Sequence, residues 1–146
     1  MAQIFNDNGL DLFLGQFPKN DTRLTSLFLE LFTSQTASTV IAHTASGTTI
    51  TETTYTSYAR QTLATATWGA LAEYSTTLGR ATIYPQVTFP TVGASGATIN
   101  GFMICSTNAA PTAINIVAQA NFDDVTAVVL ATNDVIKVTP TMALLH

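Results

Sequence analysis

Only one stretch of this chain carries apolar residues at a helical spacing, and everything after it reads in short β-like runs. Leu10, Phe13, Leu14 and Phe17 fall at i, i+3, i+4 and i+7, one face of a short helix. Asn6, Asp7 and Asn8 stand where a cap would, and Pro18-Lys19-Asn20-Asp21 ends the pattern. The stripe is almost purely Leu and Phe, so it needs a surface to cover it. The segment 1–22 is therefore expected to be a helix or a docking arm that contacts another chain.

From residue 23 onward the pattern changes. In 24–32, Leu27, Leu29 and Leu31 share one face, while Phe28, Glu30 and Phe32 share the other. Apolar residues on both faces predict a central strand or one lying at a contact. Residues 34–54 are rich in Ser, Thr and Ala with few large anchors, and read as an extended loop or weak hairpin. Tyr55-Thr56-Ser57-Tyr58-Ala59-Arg60-Gln61 suits a turn or a helical turn before a strand over 63–68. Further strands are expected over 80–89, with bends at Pro85 and Pro90, and over 98–106, 113–122 and 126–131. A last one runs from Val135 to the C-terminus, after a turn at Asn133-Asp134. The glycine-rich 91–96 is a loop. The expected fold is all-β: one β-sandwich of jelly-roll type over 23–146, preceded by the helix or arm.

Charge is scarce: five basic and nine acidic residues leave 10% of positions ionic and a net charge of −4. An ordinary soluble domain carries roughly 25%, and interspersed charge is what normally keeps small domains apart. Such a surface is expected to be covered by other subunits. The acidic balance and the scattered Lys19, Arg23, Arg60, Arg80 and Lys137 argue against nucleic acid as a partner, which needs a basic footprint. No apolar run reaches the ~18 residues of a membrane span, so no membrane is expected. The first residues lack a basic stretch followed by an apolar one, which predicts synthesis in the cytoplasm.

Few ionisable groups are present to converge on a reaction. Cys105, the single cysteine, lies in Gly101-Phe102-Met103-Ile104-Cys105 and reads as a buried, inert thiol. His43 and His146 have no neighbours at metal-ligand spacing. Asp123-Asp124 lacks the alternating acids of a calcium loop, and Gly93-Ala94-Ser95-Gly96 is followed by no lysine. Asp7 and Asp11 stand four apart, and Asp7 is explained by the helix start. No cofactor, no metal and no catalytic residue is expected, and the chain is read as not being an enzyme. Arg60 stands out among the basic residues. Its guanidinium can stack on Tyr58 or Tyr55, or fork onto carbonyls and a carboxylate, and would pin a loop or a subunit contact. The expected subunit-interface residues are thus Leu10, Phe13, Leu14, Phe17, Tyr58 and Arg60. Trp68, with Tyr74, Tyr84, Phe89 and Phe102, fills a core or stacks on sugars.

Several runs stand in order along the chain: Leu29-Glu30-Leu31-Phe32-Thr33-Ser34, then Tyr55-Thr56-Ser57-Tyr58-Ala59-Arg60-Gln61, then Val87-Thr88-Phe89-Pro90-Thr91. Ile99-Asn100-Gly101-Phe102-Met103-Ile104 and Asn133-Asp134-Val135-Ile136-Lys137-Val138-Thr139-Pro140-Thr141-Met142 follow. In this order they resemble small structural proteins of tailed bacteriophages, and the resemblance spans most of the chain from about Leu24. It implies a β-sandwich component of the virion with no enzymatic role. The first expectation is a head decoration (cement) protein on the capsid surface. It would assemble as a homotrimer, bind the major capsid protein or other virion proteins, and be made in the cytoplasm of the bacterial host. A tail, baseplate or fibre-associated protein is the alternative, and a carbohydrate-binding module using Trp68 is a third.

Overall fold

A computed structural model of the chain describes residues 4–5, 24–33, 50–75, 79–94, 97–109, 116–122 and 127–144. Among them the strands are β1 (Ile4–Phe5), β2 (Ser26–Phe32), β3 (Gln61–Ala64), β4 (Ala72–Ser75), β5 (Gly79–Ile83) and β6 (Val87–Thr88). They continue with β7 (Thr98–Ile99), β8 (Gly101–Cys105), β9 (Ile116–Asn121), β10 (Val128–Val129), β11 (Lys137–Val138) and β12 (Thr141–Leu144). The protein is all-β. Its largest sheet runs β1-β9-β8-β2-β3, a second runs β12-β5-β4, and β10-β7 and β11-β6 pair as ribbons. Every pairing is antiparallel.

β2 is internal, as its two-sided apolar pattern predicts, with β8 on one side and β3 on the other. Successive side chains point to opposite faces. Leu27, Leu29 and Leu31 enter the main core with Leu63, Phe89, Val92, Ile99, Phe102 and Ile104. Phe32 turns the other way and packs with Ile50, Met103, Cys105 and Ile116 in a second cluster, all fully buried. Each such aliphatic or aromatic side chain contributes about 1.5–3 kcal/mol of burial. The large sheet is therefore apolar on both faces.

The strands after β4 belong to one long folded hairpin. Leu144 pairs with Arg80, Val138 with Val87, Val129 with Thr98, and Ile116 with Cys105. Backbone bonds bridge the gaps between these ladders. Tyr84 N–H meets Pro140 C=O at 2.9 Å, Phe89 meets Ile136 at 2.9 Å, Val92 meets Asp134 at 3.0 Å, and Phe122 meets Asn100 at 3.0 Å. The described residues of 79–105 thus run antiparallel to those of 116–144, and successive parts of the pair enter different sheets.

Several expected strands are shorter than the sequence suggested. The strand expected over 63–68 stops at Ala64, and Thr65–Thr67 form a 3-10 turn. Its partner runs out there: Thr65 donates both its N–H and its hydroxyl to Thr25 C=O, each at 3.0 Å, just before β2 begins. The run expected over 98–106 breaks at Asn100. Here the backbone N–H goes to Phe32 C=O (2.8 Å) and the side-chain amide to Thr33 C=O (2.7 Å), so Asn100 marks the passage from one partner to another. The closing run splits into β11 and β12 around Pro140, which has no N–H to give a ladder. In the stretch read as short of anchors, Ile50 is fully buried and Glu52 bridges to Phe32.

Ile4 and Phe5 pair with Gln119 and Ala118 at the edge of the large sheet, and the boundary expected at residue 22 lies outside the described residues. The helical stripe Leu10, Phe13, Leu14 and Phe17 lies outside the described residues.

Candidate functional site

The chemistry-bearing residues gather where the β2–β3 ladder is interrupted. β3 pairs with β2 as far as Gln61 against Leu29. Pairing resumes from the other side of a gap, with Thr53 N–H on Leu31 C=O (2.9 Å) and Thr33 N–H on Thr51 C=O (2.8 Å). Residues 54–60 leave the ladder and fold over the sheet edge. Tyr58 N–H closes a turn on Tyr55 C=O at 2.9 Å, with Ser57 in the left-handed region at φ 78°. That geometry belongs to a type II turn. Gly93 fits tightly beneath it, its N–H on Thr56 C=O at 3.1 Å.

An interrupted ladder leaves backbone donors without partners, and a buried one costs about 1–3 kcal/mol. Tyrosine hydroxyls fill two of these places. Leu31 donates its N–H to the Tyr58 hydroxyl at 3.1 Å, and Ala64 donates to the Tyr84 hydroxyl at 3.2 Å. A third, Tyr55, donates its own hydroxyl to Pro90 C=O at 3.1 Å. The Tyr58 ring stands edge-on to Tyr55 (5.3 Å between centroids) and stacks on Phe89 (6.1 Å). Burial pushes the phenol of Tyr58 well above its ordinary range.

Two residues further on, Arg60 forks onto Glu52. Nε donates to Oε1 at 2.7 Å and Nη2 to Oε2 at 2.6 Å, the bidentate geometry that suits a guanidinium. Nη1 reaches Asn108 Oδ1 at 3.4 Å. On the inner side, Glu30 Oε1 lies 3.4 Å from Nε. Glu30 is fully buried, on the β2 face shared with Phe32, and neither carboxylate oxygen has a hydrogen-bond partner. One cation faces two acids, and the hydrogen bonds go to Glu52. Desolvation, with repulsion from Glu52, pushes the carboxyl of Glu30 up to about 8, against the pull of Arg60. Glu30 is held protonated at neutral pH. The neighbouring Cys105 thiol is also pushed up, first by burial and then by Glu30.

This arrangement is a clamp. Its cation is engaged, its inner acid is neutral and sealed from solvent, and its thiol is far from the thiolate that would attack a substrate. It ties the excursion 54–60 to the segment around Glu52 and to the loop at Asn108. Of the residues expected at a subunit interface, Tyr58 and Arg60 are brought together, and both spend polar groups within their own chain. Leu10, Phe13, Leu14 and Phe17 lie outside the described residues, as do Asp7, Asp11, His43, Asp123, Asp124 and His146. Trp68 packs edge-on against Tyr84 at 5.2 Å. Sequence reasoning missed Glu30 as Arg60's neighbour, although a lone acid in an apolar strand was the available signal. It also missed Glu52 and Asn108, which nothing in the local pattern marks.

A second feature lies on the surface. Leu71, Ile83, Val128, Val129 and Val135 are large apolar residues left exposed on the outlying strands and turns. Among the described residues no three of His, Cys, Asp and Glu converge to hold a metal ion, and no helix is long and apolar enough to cross a membrane. No protein-family model matches this chain, and no curated protein matches it either.

Proposed function

We propose that this chain is a structural subunit of a tailed-bacteriophage particle: a decoration protein that lies on the outer head lattice and holds it through contacts with its own copies and with the major capsid protein. The observation that carries the reading is the pairing of exposed apolar residues with inward-turned charge. Leu71, Ile83, Val128, Val129 and Val135 face solvent, while Arg60, one of only five basic residues in the chain, is engaged by Glu52 inside the molecule. Surfaces of this kind suit large, permanent contacts, which are more apolar than transient ones. The folded hairpin of 79–144 also suits a jelly-roll sandwich, an architecture that recurs in capsid proteins, and that finer architecture is part of the proposal. The reading assigns the protein no reaction.

A protein that binds only the assembled shell stabilises it by mass action. The test uses heads purified without this chain. Added protein should co-sediment with them, raise the temperature at which they break open, and appear as density on the outer lattice. Density on the tail instead would move the subunit there. Binding to neither would end the virion reading.

A further inference from the structure

β10 has a single neighbour among the described residues, β7. Leu130 sends its N–H to Ala97 C=O at 3.0 Å, and Val128 stands opposite Ile99. Alternation along an antiparallel ladder then turns the N–H and C=O of Val129 away from β7. The Val129 side chain is 70% exposed. Natural sheet edges are usually blunted by charge, proline or a bulge, and the Val128-Val129 pair offers none of these.

Beside this edge lies a shallow depression of about 320 Å³. Among the described residues, Phe122, Val128, Leu130, Val135 and Ile136 line its apolar part, and Asp134 and Lys137 supply the charge. Asp134 keeps the turn closed by accepting the Ala131 N–H on Oδ2 at 2.7 Å. Lys137 has no ion pair among the described residues. Among the described residues the patch thus combines a strand edge with no second neighbour, an apolar floor, one acid and one base.

We infer that this patch is a two-fold contact with a second copy of the chain, in which β10 pairs antiparallel with β10 of its partner. Two identical edges satisfy one another about a two-fold axis, because the same patch serves both sides. The charges favour the same occupant: an acid and a base on one patch are self-complementary, whereas a partner of one sign would be attracted by one and repelled by the other. The contact concerns the chain alone and holds whether or not the protein binds a phage shell.

The experiment is sedimentation of the purified chain over about 1 µM to 1 mM, with amide exchange at Val129 followed across the same range. The expected result is concentration-dependent dimerisation, with the Val129 amide slowing as the dimer forms. Val129→Glu should weaken association by at least about tenfold, equal to about 1.4 kcal/mol, without changing the circular dichroism spectrum. Thr67→Glu, an exposed change in the 3-10 turn Thr65–Thr67, should leave association intact. A chain that stays monomeric throughout, a Val129 amide whose exchange ignores concentration, or equal association of Val129→Glu and the parent would overturn the inference. If Val129→Glu misfolds, the exchange measurement on the parent decides alone. Failure to bind heads would leave this result untouched, so the two readings fall separately.

Discussion

The hydroxyl of Tyr58 stands 3.1 Å from the amide nitrogen of Leu31 and accepts the hydrogen bond that a neighbouring strand would otherwise take. One side chain thereby lets residues 54–60 leave the ladder without stranding a donor on a buried strand. Tyr58→Phe keeps the ring stacked on Phe89 and removes only the acceptor. It should cost about 1–3 kcal/mol in chemical denaturation. A loss below about 0.5 kcal/mol would mean that the hydroxyl is dispensable to the ladder.

Glu30 should make stability fall with rising pH. Its carboxyl titrates near 8 in the folded protein against an ordinary value of 4.5. Between those values the folded state holds a proton that the unfolded chain has released, so unfolding gains ground as pH rises and the effect levels off above 8. One proton sets the limiting slope at about 1.4 kcal/mol per pH unit. Glu30→Gln should flatten the profile between pH 5 and 8 relative to the parent. Parallel profiles for the two proteins would refute this protonation state.

Arg60 is the member of the clamp whose loss should be felt most. Arg60→Met leaves Glu52 without its bidentate partner and Glu30 without the nearest cation, at a cost of about 2 kcal/mol or more. The same change in a Glu52→Gln background should cost clearly less, because the acid that needed the guanidinium is gone. Thermal unfolding of the four proteins gives the coupling directly. Additive losses would show the two residues to be independent.

The turn at 55–58 should respond with opposite signs to two small changes. A Cβ on Gly93 would lie 3.0 Å from Ser57 Oγ and 3.1 Å from Thr56 Cγ2, closer than side chains normally sit. Gly93→Ala should destabilise by about 1 kcal/mol. Ser57→Gly removes a left-handed residue that carries a Cβ, which costs about 1–2 kcal/mol, and should be neutral to slightly stabilising after the greater freedom of glycine in the unfolded chain is counted. A melting temperature that drops on Ser57→Gly would contradict this account of the turn.

What could be read in advance was whatever depends on local alternation. Leu27, Leu29 and Leu31 opposite Glu30 and Phe32 announced a strand buried on both faces, and Asn133, at φ 74°, occupies the turn its chemistry suits. The break at Asn100 was invisible, because Thr98, Ile99 and Phe102 favour extended backbone on either side of it. Only the change of partner makes the break: Gly101 pairs with Phe32 and Asn121, whereas Ile99 pairs with Val128. The end of β3 at Ala64 has the same origin, since a strand stops where its neighbour stops.

The site was legible in kind but not in membership. A guanidinium among tyrosines in a chain short of charge announced a fork onto a carboxylate. Glu52 and Glu30 reach it because Phe32 stands opposite Glu52 across the sheet, a register set by tertiary pairing. Periodicity along a single strand carries no information about that distance. The apolar edge at Val128 and Val129 was equally hidden, because valines in a short run look the same whether they face a core or solvent.

The folded hairpin also shapes how the molecule must be made. Arg80 waits for Leu144, and Val87 for Val138, so each outgoing strand leaves the ribosome with at least one edge whose partner is not yet synthesised. Contacts this distant along the chain close slowly, and nascent intermediates with bare edges invite association with the wrong neighbour. Those edges close only once the returning arm, 137–144, has been translated.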